Sequence, residues 1–200
     1  MSIKEQAAKL KADSSKMAGL TEKMRNQALE AIKIALLKNE EQIILANNKD
    51  LENAKRDQIA DVIMKRLRFD KEKLQGVVEG IEELIGLSDP LFQIQMAREL
   101  DQGLRLYRET CPIGVIGVIF ESRPDAMVQI AALCIKSGNC AILKGGSEAI
   151  NTNKALFTII YEAAVLAGMP EGCLLQAQQR DEINELLECH ESVDLLIPRG

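Results

Sequence analysis

The chain has 200 residues, 46% hydrophobic and 28% charged, with a net charge of -5, only 3% aromatic residues and no tryptophan. This is the composition of an ordinary soluble globular chain with a core of small aliphatic side chains. Its acidic residues form no block, and it lacks both a basic footprint and aromatic platforms for bases, so no nucleic acid partner is expected. The five cysteines, Cys111, Cys134, Cys140, Cys173 and Cys189, contain no CxxC pair, and the whole chain has one histidine. That argues against a zinc site and for mostly buried thiols in a reducing cytosol.

The first twenty residues mix charges with Ile3, Ala7 and Leu10 at helical spacing and hold no continuous apolar stretch, so no secretory signal is read there. Later apolar runs are far shorter than the ~20 residues of a membrane helix. The expectation is a cytoplasmic protein with no membrane contact. Thr21 can cap a helix carrying Met24, Ala28, Ile32 and Leu36 at four-residue intervals. Asn39 can cap a second with Ile43, Ile44 and Leu51, and Asp70 a third with Leu74, Val77, Val78, Ile81 and Ile85 before the Ser88, Asp89, Pro90 turn. These stripes carry no reactive group, so residues 1–91 read as a helical part built for packing.

Residues 92–110 alternate apolar and polar positions around Asp101, Gln102 and Gly103, the pattern of a β-hairpin. From 111 to 200 apolar runs alternate with helical stretches. Ile113 to Phe120 is followed by a helix over Asp125 to Ser137, and Cys140 to Leu143 by a helix from Glu148 to Ala167, closed by Gly168 and Pro170. Leu174 to Ala177, a helix over Asp181 to Cys189, and Val193 to Ile197 complete the series. Continuous apolar strands alternating with helices predict an α/β fold, a parallel sheet covered on both faces. Ligands of such sheets bind at the carboxyl ends of the strands.

Three strand ends therefore matter. At Phe120, Glu121, Ser122, Arg123, Pro124 no GxGxxG turn is present, and Gly114 and Gly117 fall inside the preceding strand. Lys144, Gly145, Gly146, Ser147 and Glu148 pass through two glycines into a helix start. There backbone approach, the positive helix end and a lysine suit an anionic ligand. Taken alone, the same string fits a helix start finished by Ser147 or Glu148 beside a solvated lysine. The third end is Pro198, Arg199, Gly200, where a phosphate-binding turn would begin.

The stretch CPIGVIGVIFESRPDAMVQIAALCIKSGNCAILKGGSEA resembles the gamma-glutamyl phosphate reductase family of the aldehyde dehydrogenase superfamily. ANNKDLENAK at 46–55, LSDPLFQI at 87–94 and VDLLIPRG at 193–200 agree with it. The resemblance implies an aldehyde-dehydrogenase-like Rossmann-type sheet and an NADP(H)-dependent reduction of L-glutamyl 5-phosphate to L-glutamate 5-semialdehyde and phosphate, through a cysteine thioester. It places the nucleophile in a catalytic domain downstream of residue 200, so residues 111–200 are expected to be an incomplete NADP-binding domain and the chain alone to be inactive. Carried over by position, Phe120, Glu121, Lys144, Gly145, Gly146, Ser147 and Gly200 would line the cofactor. Ser147 stands where NAD-preferring relatives carry an acid, and the acid comes one later at Glu148, which favours NADP. Arg123 would bind the acyl phosphate or the substrate carboxylate, or else tie loop to helix.

The same resemblance makes the 92–110 hairpin an arm for homo-oligomers and suggests functional coupling to glutamate 5-kinase. Another acyl-phosphate or aldehyde dehydrogenase of the superfamily, or a non-catalytic interaction module, are the competing readings.

Overall fold

A computed structural model describes residues 2–178 and 181–199. Five helices come first. α1 (Ile3–Ala18) opens on a capping box in which the Ser2 hydroxyl accepts from the Glu5 amide and the Glu5 carboxylate from the Ser2 amide. α2 (Glu22–Lys38) is capped by the Thr21 hydroxyl and α5 (Lys71–Gly86) by the Asp70 carboxylate, as their spacing predicts. Asn39 departs from its expected role. Its side-chain amide donates to the Ala35 carbonyl and closes α2, leaving α3 (Glu40–Arg56) without a side-chain cap. α4 (Asp61–Leu67) buries only Leu67, too little periodicity to be read from sequence. On α2 the buried stripe is Ala28, Leu29, Ile32 and Leu36, while Met24 is exposed.

β1 (Ile94–Asp101) and β2 (Leu104–Glu109) form the expected antiparallel hairpin, turned at Gly103 with φ of 79°. It is a sheet of its own, and its base is tied by the Phe92 amide to the Thr110 carbonyl at 2.8 Å. Ile94, Leu100, Leu104, Leu106 and Tyr107 stand exposed along it.

The second sheet is parallel, in the order β5-β4-β3-β6, from β3 (Val115–Phe120), β4 (Cys140–Lys144), β5 (Leu174–Gln176) and β6 (Leu195–Arg199). β3 and β4 are almost wholly buried, which is why they read as continuous apolar runs. α6 (Pro124–Lys136) links β3 to β4 and α7 (Ile150–Leu166) links β4 to β5, stepping one way along the sheet. α8 (Asp181–Leu187) then carries the chain back past β4 and β3 to β6. Right-handed crossovers put α6 and α7 on one face and α8 on the other. α1 covers the α8 face, and α2 and α5 form an outer layer on α6 and α7. One core runs from Ile3 through the sheet to Cys189, so the helical start and the sheet fold as one body.

β3 begins two residues later than its apolar run. Gly114 takes φ of 124°, and a Cβ there would lie 2.9 Å from the Asp194 Cγ, whose carboxylate accepts from the Val115 amide at 2.8 Å. Gly117 does lie within the strand, against Leu196. Among the described residues no helix is long and apolar enough to cross a membrane.

Candidate functional site

The strand order reverses between β3 and β6, and at such a switch point the crossovers diverge and leave a crevice beyond the strand ends. A groove of about 860 Å³ opens there, and it takes in Phe120, Glu121, Lys144, Gly145, Gly146 and Ser147. Six of the expected cofactor residues thus share one cleft, while Gly200 lies outside the described residues. β3 ends in a tight turn, the Arg123 amide donating to the Glu121 carbonyl at 2.6 Å. Pro124 then takes the first position of α6, where its missing N–H costs nothing.

The turn after β4 is built for close approach. A Cβ on Gly145 would lie 3.0 Å from the Asn153 Cγ and 3.1 Å from the Phe120 ring, and one on Gly146 would lie 2.6 Å from the Glu148 Cδ. At Gly145 only bare backbone fits, so a ligand in the cleft can reach main-chain atoms. Lys144 is 8% exposed, and its ammonium donates to the Gly145 carbonyl at 2.7 Å; among the described residues no ion pair holds it. Beneath the turn the buried Asn153 has an unpartnered Oδ1. A sugar with several hydroxyls fits this set of bare backbone and lysine donor.

Two expectations about the helix start are corrected. Neither Ser147 nor Glu148 caps it: Ser147–Ala149 is a single 3-10 turn without a side-chain cap, and α7 begins at Ile150. Nor are the first amides of α7 open to an anion. Asp50, from α3 and 1% exposed, accepts from the Asn151 and Thr152 amides at 3.1 and 2.7 Å and from both their side chains. An internal carboxylate has taken the place at the positive helix end. Asn47, one turn earlier, accepts from the Phe69 amide at 2.9 Å and donates to the Leu67 carbonyl and Thr152. α3 therefore holds both α7 and the segment between α4 and α5, a role its sequence did not announce.

Glu148 also behaves differently from its reading. The 3-10 turn brings its carboxylate back over Gly146 into the same groove, where it accepts from the hydroxyl of buried Ser122. Arg123 does not line this groove. It lines a neighbouring cavity of about 560 Å³ with Arg66, Glu121 and Arg199, and donates to the Asp125 carboxylate at 3.0 Å. Three guanidinium groups line that cavity, two of them paired with carboxylates, Arg66 with Glu121 at 4.0 Å and Arg123 with Asp125.

Four of the five cysteines are buried. Burial pushes the Cys134, Cys140 and Cys173 thiols up to about 12 and raises Cys189 as well. Cys111 is exposed, away from both cavities. The predicted helix over Cys189 ends two residues sooner, and Cys189 is buried while His190 faces solvent, so they make no dyad. Among the described residues no cluster of metal-binding side chains occurs.

The sequence profile of the aldehyde dehydrogenase family matches residues 5–200. A protein of Ruminiclostridium cellulolyticum named gamma-glutamyl phosphate reductase is 51% identical over 187 residues, 94% of this chain and 43% of its own length. Crystal structures of gamma-glutamyl phosphate reductase from Thermotoga maritima and Saccharomyces cerevisiae superpose with TM-scores of 0.95 and 0.94 at 32% and 38% identity. Each covers 100% of this chain, which in turn covers 49% and 51% of theirs. The chain spans about half the length of the curated relatives it matches.

Proposed function

The chain belongs to the aldehyde dehydrogenase family, and from that membership we propose that it is the cofactor-binding part of an enzyme reducing L-glutamyl 5-phosphate with NADPH to L-glutamate 5-semialdehyde and phosphate. The observation carrying this reading is the glycine-floored cleft at the switch point, in a chain 51% identical to a gamma-glutamyl phosphate reductase. The nicotinamide supplies a hydride when bound. Lys144 and the bare Gly145–Gly146 backbone hold the adenosine ribose, and Phe120 and Glu121 border the cofactor at the end of β3. Ser147 leaves space for a 2'-phosphate where an acid would repel it.

The reacting thiolate comes from sequence beyond residue 200, since every thiol described above is buried or remote. Arg123 positions the phosphorylated substrate by charge-assisted hydrogen bonds from the cavity beside the cleft. The exposed hairpin joins subunits. Glutamate 5-kinase would be the enzyme that hands over the reactive acyl phosphate.

The test is the reverse reaction with the product of the whole open reading frame. NADP reduction should require both glutamate 5-semialdehyde and phosphate, and residues 1–200 alone should show none. Reduction that ignores phosphate would favour a plain aldehyde dehydrogenase. Arg123→Lys should lower kcat/KM for the phosphorylated substrate and leave NADPH binding unchanged; unaltered kinetics would remove Arg123 from the site.

A further inference from the structure

We propose that Ser122 sets the coenzyme preference of the cleft, by holding the Glu148 carboxylate down against Gly146 and away from the ribose 2' position. The proposal rests on the dinucleotide reading above and adds to it a residue that touches no cofactor.

Two neighbouring side chains of one short turn, Ser147 and Glu148, both line the groove. Ser147 is exposed and uncharged, but the acid beside it could undo that advantage by reaching into the space Ser147 leaves open. A carboxylate facing a 2'-phosphate repels it, whereas the same carboxylate accepts well from a 2'-hydroxyl. Where the Glu148 side chain is held therefore matters as much as which residue occupies position 147.

Its position has two determinants. Gly146 provides the space, since a Cβ there would lie 2.6 Å from both the Cδ and the Oε2 of Glu148. The Ser122 hydroxyl provides the tether, donating to the Glu148 Oε1 from a residue only 6% exposed in the turn that ends β3. Ser122 is itself fixed, because its turn closes through the bond from the Arg123 amide to the Glu121 carbonyl and the start of α6. The tether thus joins the ends of β3 and β4 across the floor of the cleft. No other hydrogen bond to the Glu148 carboxylate is made among the described residues, so removing the hydroxyl leaves it free to turn outward.

The measurement is the pair of dissociation constants for NADPH and NADH, read from reduced-nicotinamide fluorescence, with the product of the whole open reading frame. The variants are Ser122→Ala, Glu148→Gln and the double substitution. Ser122→Ala should reduce the preference for NADPH over NADH by about tenfold, the effect of one like-charge contact of partly screened strength. Glu148→Gln should not reduce it, and the double variant should recover the original ratio. A general loosening of the fold weakens both dinucleotides together and leaves the ratio alone. An unchanged ratio in Ser122→Ala, or a reduced ratio that persists in the double variant, overturns the role of Ser122 while leaving the dinucleotide reading intact. Failure of the unsubstituted protein to bind either dinucleotide overturns both.

Discussion

Replacing Asp50 by alanine should be among the most damaging single changes in the chain, although the residue lies on a helix far from the cleft in sequence. Its carboxylate accepts four hydrogen bonds, two of them from the first amides of α7, and is 1% exposed. Losing a helix cap costs about 1 kcal/mol. Each buried donor left without a partner adds about 1–3 kcal/mol, and water cannot readily replace the lost acceptor in so closed a place. Because neighbouring bonds are lost together and do not add, the total should be on the order of 3–5 kcal/mol. For a chain of this size each kcal/mol lowers Tm by about 2–4 °C, so the midpoint should fall by roughly 10 °C or more. Urea unfolding followed by far-UV circular dichroism gives the check, as a lower midpoint at unchanged slope. Asp50→Asn keeps the shape and one acceptor and should lose about half as much. NADPH affinity should fall in both variants, because α7 starts where the Lys144–Glu148 turn ends. A loss below about 1 kcal/mol for Asp50→Ala would mean that α7 does not depend on α3 for its start.

The thiols offer a second check. Ellman's reagent at mildly alkaline pH should titrate Cys111 quickly and the other four cysteines only on unfolding, because Cys134, Cys140, Cys173 and Cys189 are buried with raised pKa values. Two or more fast equivalents would contradict the burial. The same shifts set a sign for stability. Folding holds three thiols protonated up to about 12 against an ordinary value of 9.0. Their contribution is intact below pH ~9 and is lost as pH rises from there toward 12, at up to about 4 kcal/mol per unit. Flat stability across that range would refute it. For the hairpin, Leu104→Asp with Leu106→Asp should shift the sedimentation coefficient of the whole protein to that of a monomer with its helix content unchanged. Persistence of the oligomer would assign subunit contact to another surface.

The alternation of α6, β4, α7 and β5 was legible because a parallel sheet buries both faces of its strands, so β3 and β4 carry no polar position before Lys144 at the end of β4. The hairpin was legible for the opposite reason, an alternation broken by Gly103. What escaped was polar and long-range. The buried face of α3 is Ile43, Asn47, Asp50 and Ala54, and its two polar members have partners on distant segments, Asp50 with an amide 101 residues further on. Polar residues at helical spacing look like a solvated face until that partner is known. They do fall at intervals of four, three and four with Ile43 and Ala54, a spacing that could have marked them. Six of the expected cofactor residues share one groove because strand ends converge there. Glu148 was misjudged because a 3-10 turn advances side chains by 120° rather than 100° per residue, which position counting ignores.

The order of the sheet has a consequence for how the protein comes into being. β3, β4 and β5 are laid down by consecutive local crossovers, each strand docking beside the one just made. β6 must instead return past two finished strands to pair with β3, with Ile116 opposite Leu195 and Asp194 reaching the Val115 amide across 79 residues of chain. Contacts of such separation close slowly, since loop entropy is lost before any pairing is gained. The crevice lies between those two strands. A nascent chain can therefore own the part of its core around β3, β4 and β5 and still have no cleft, which arrives only with β6.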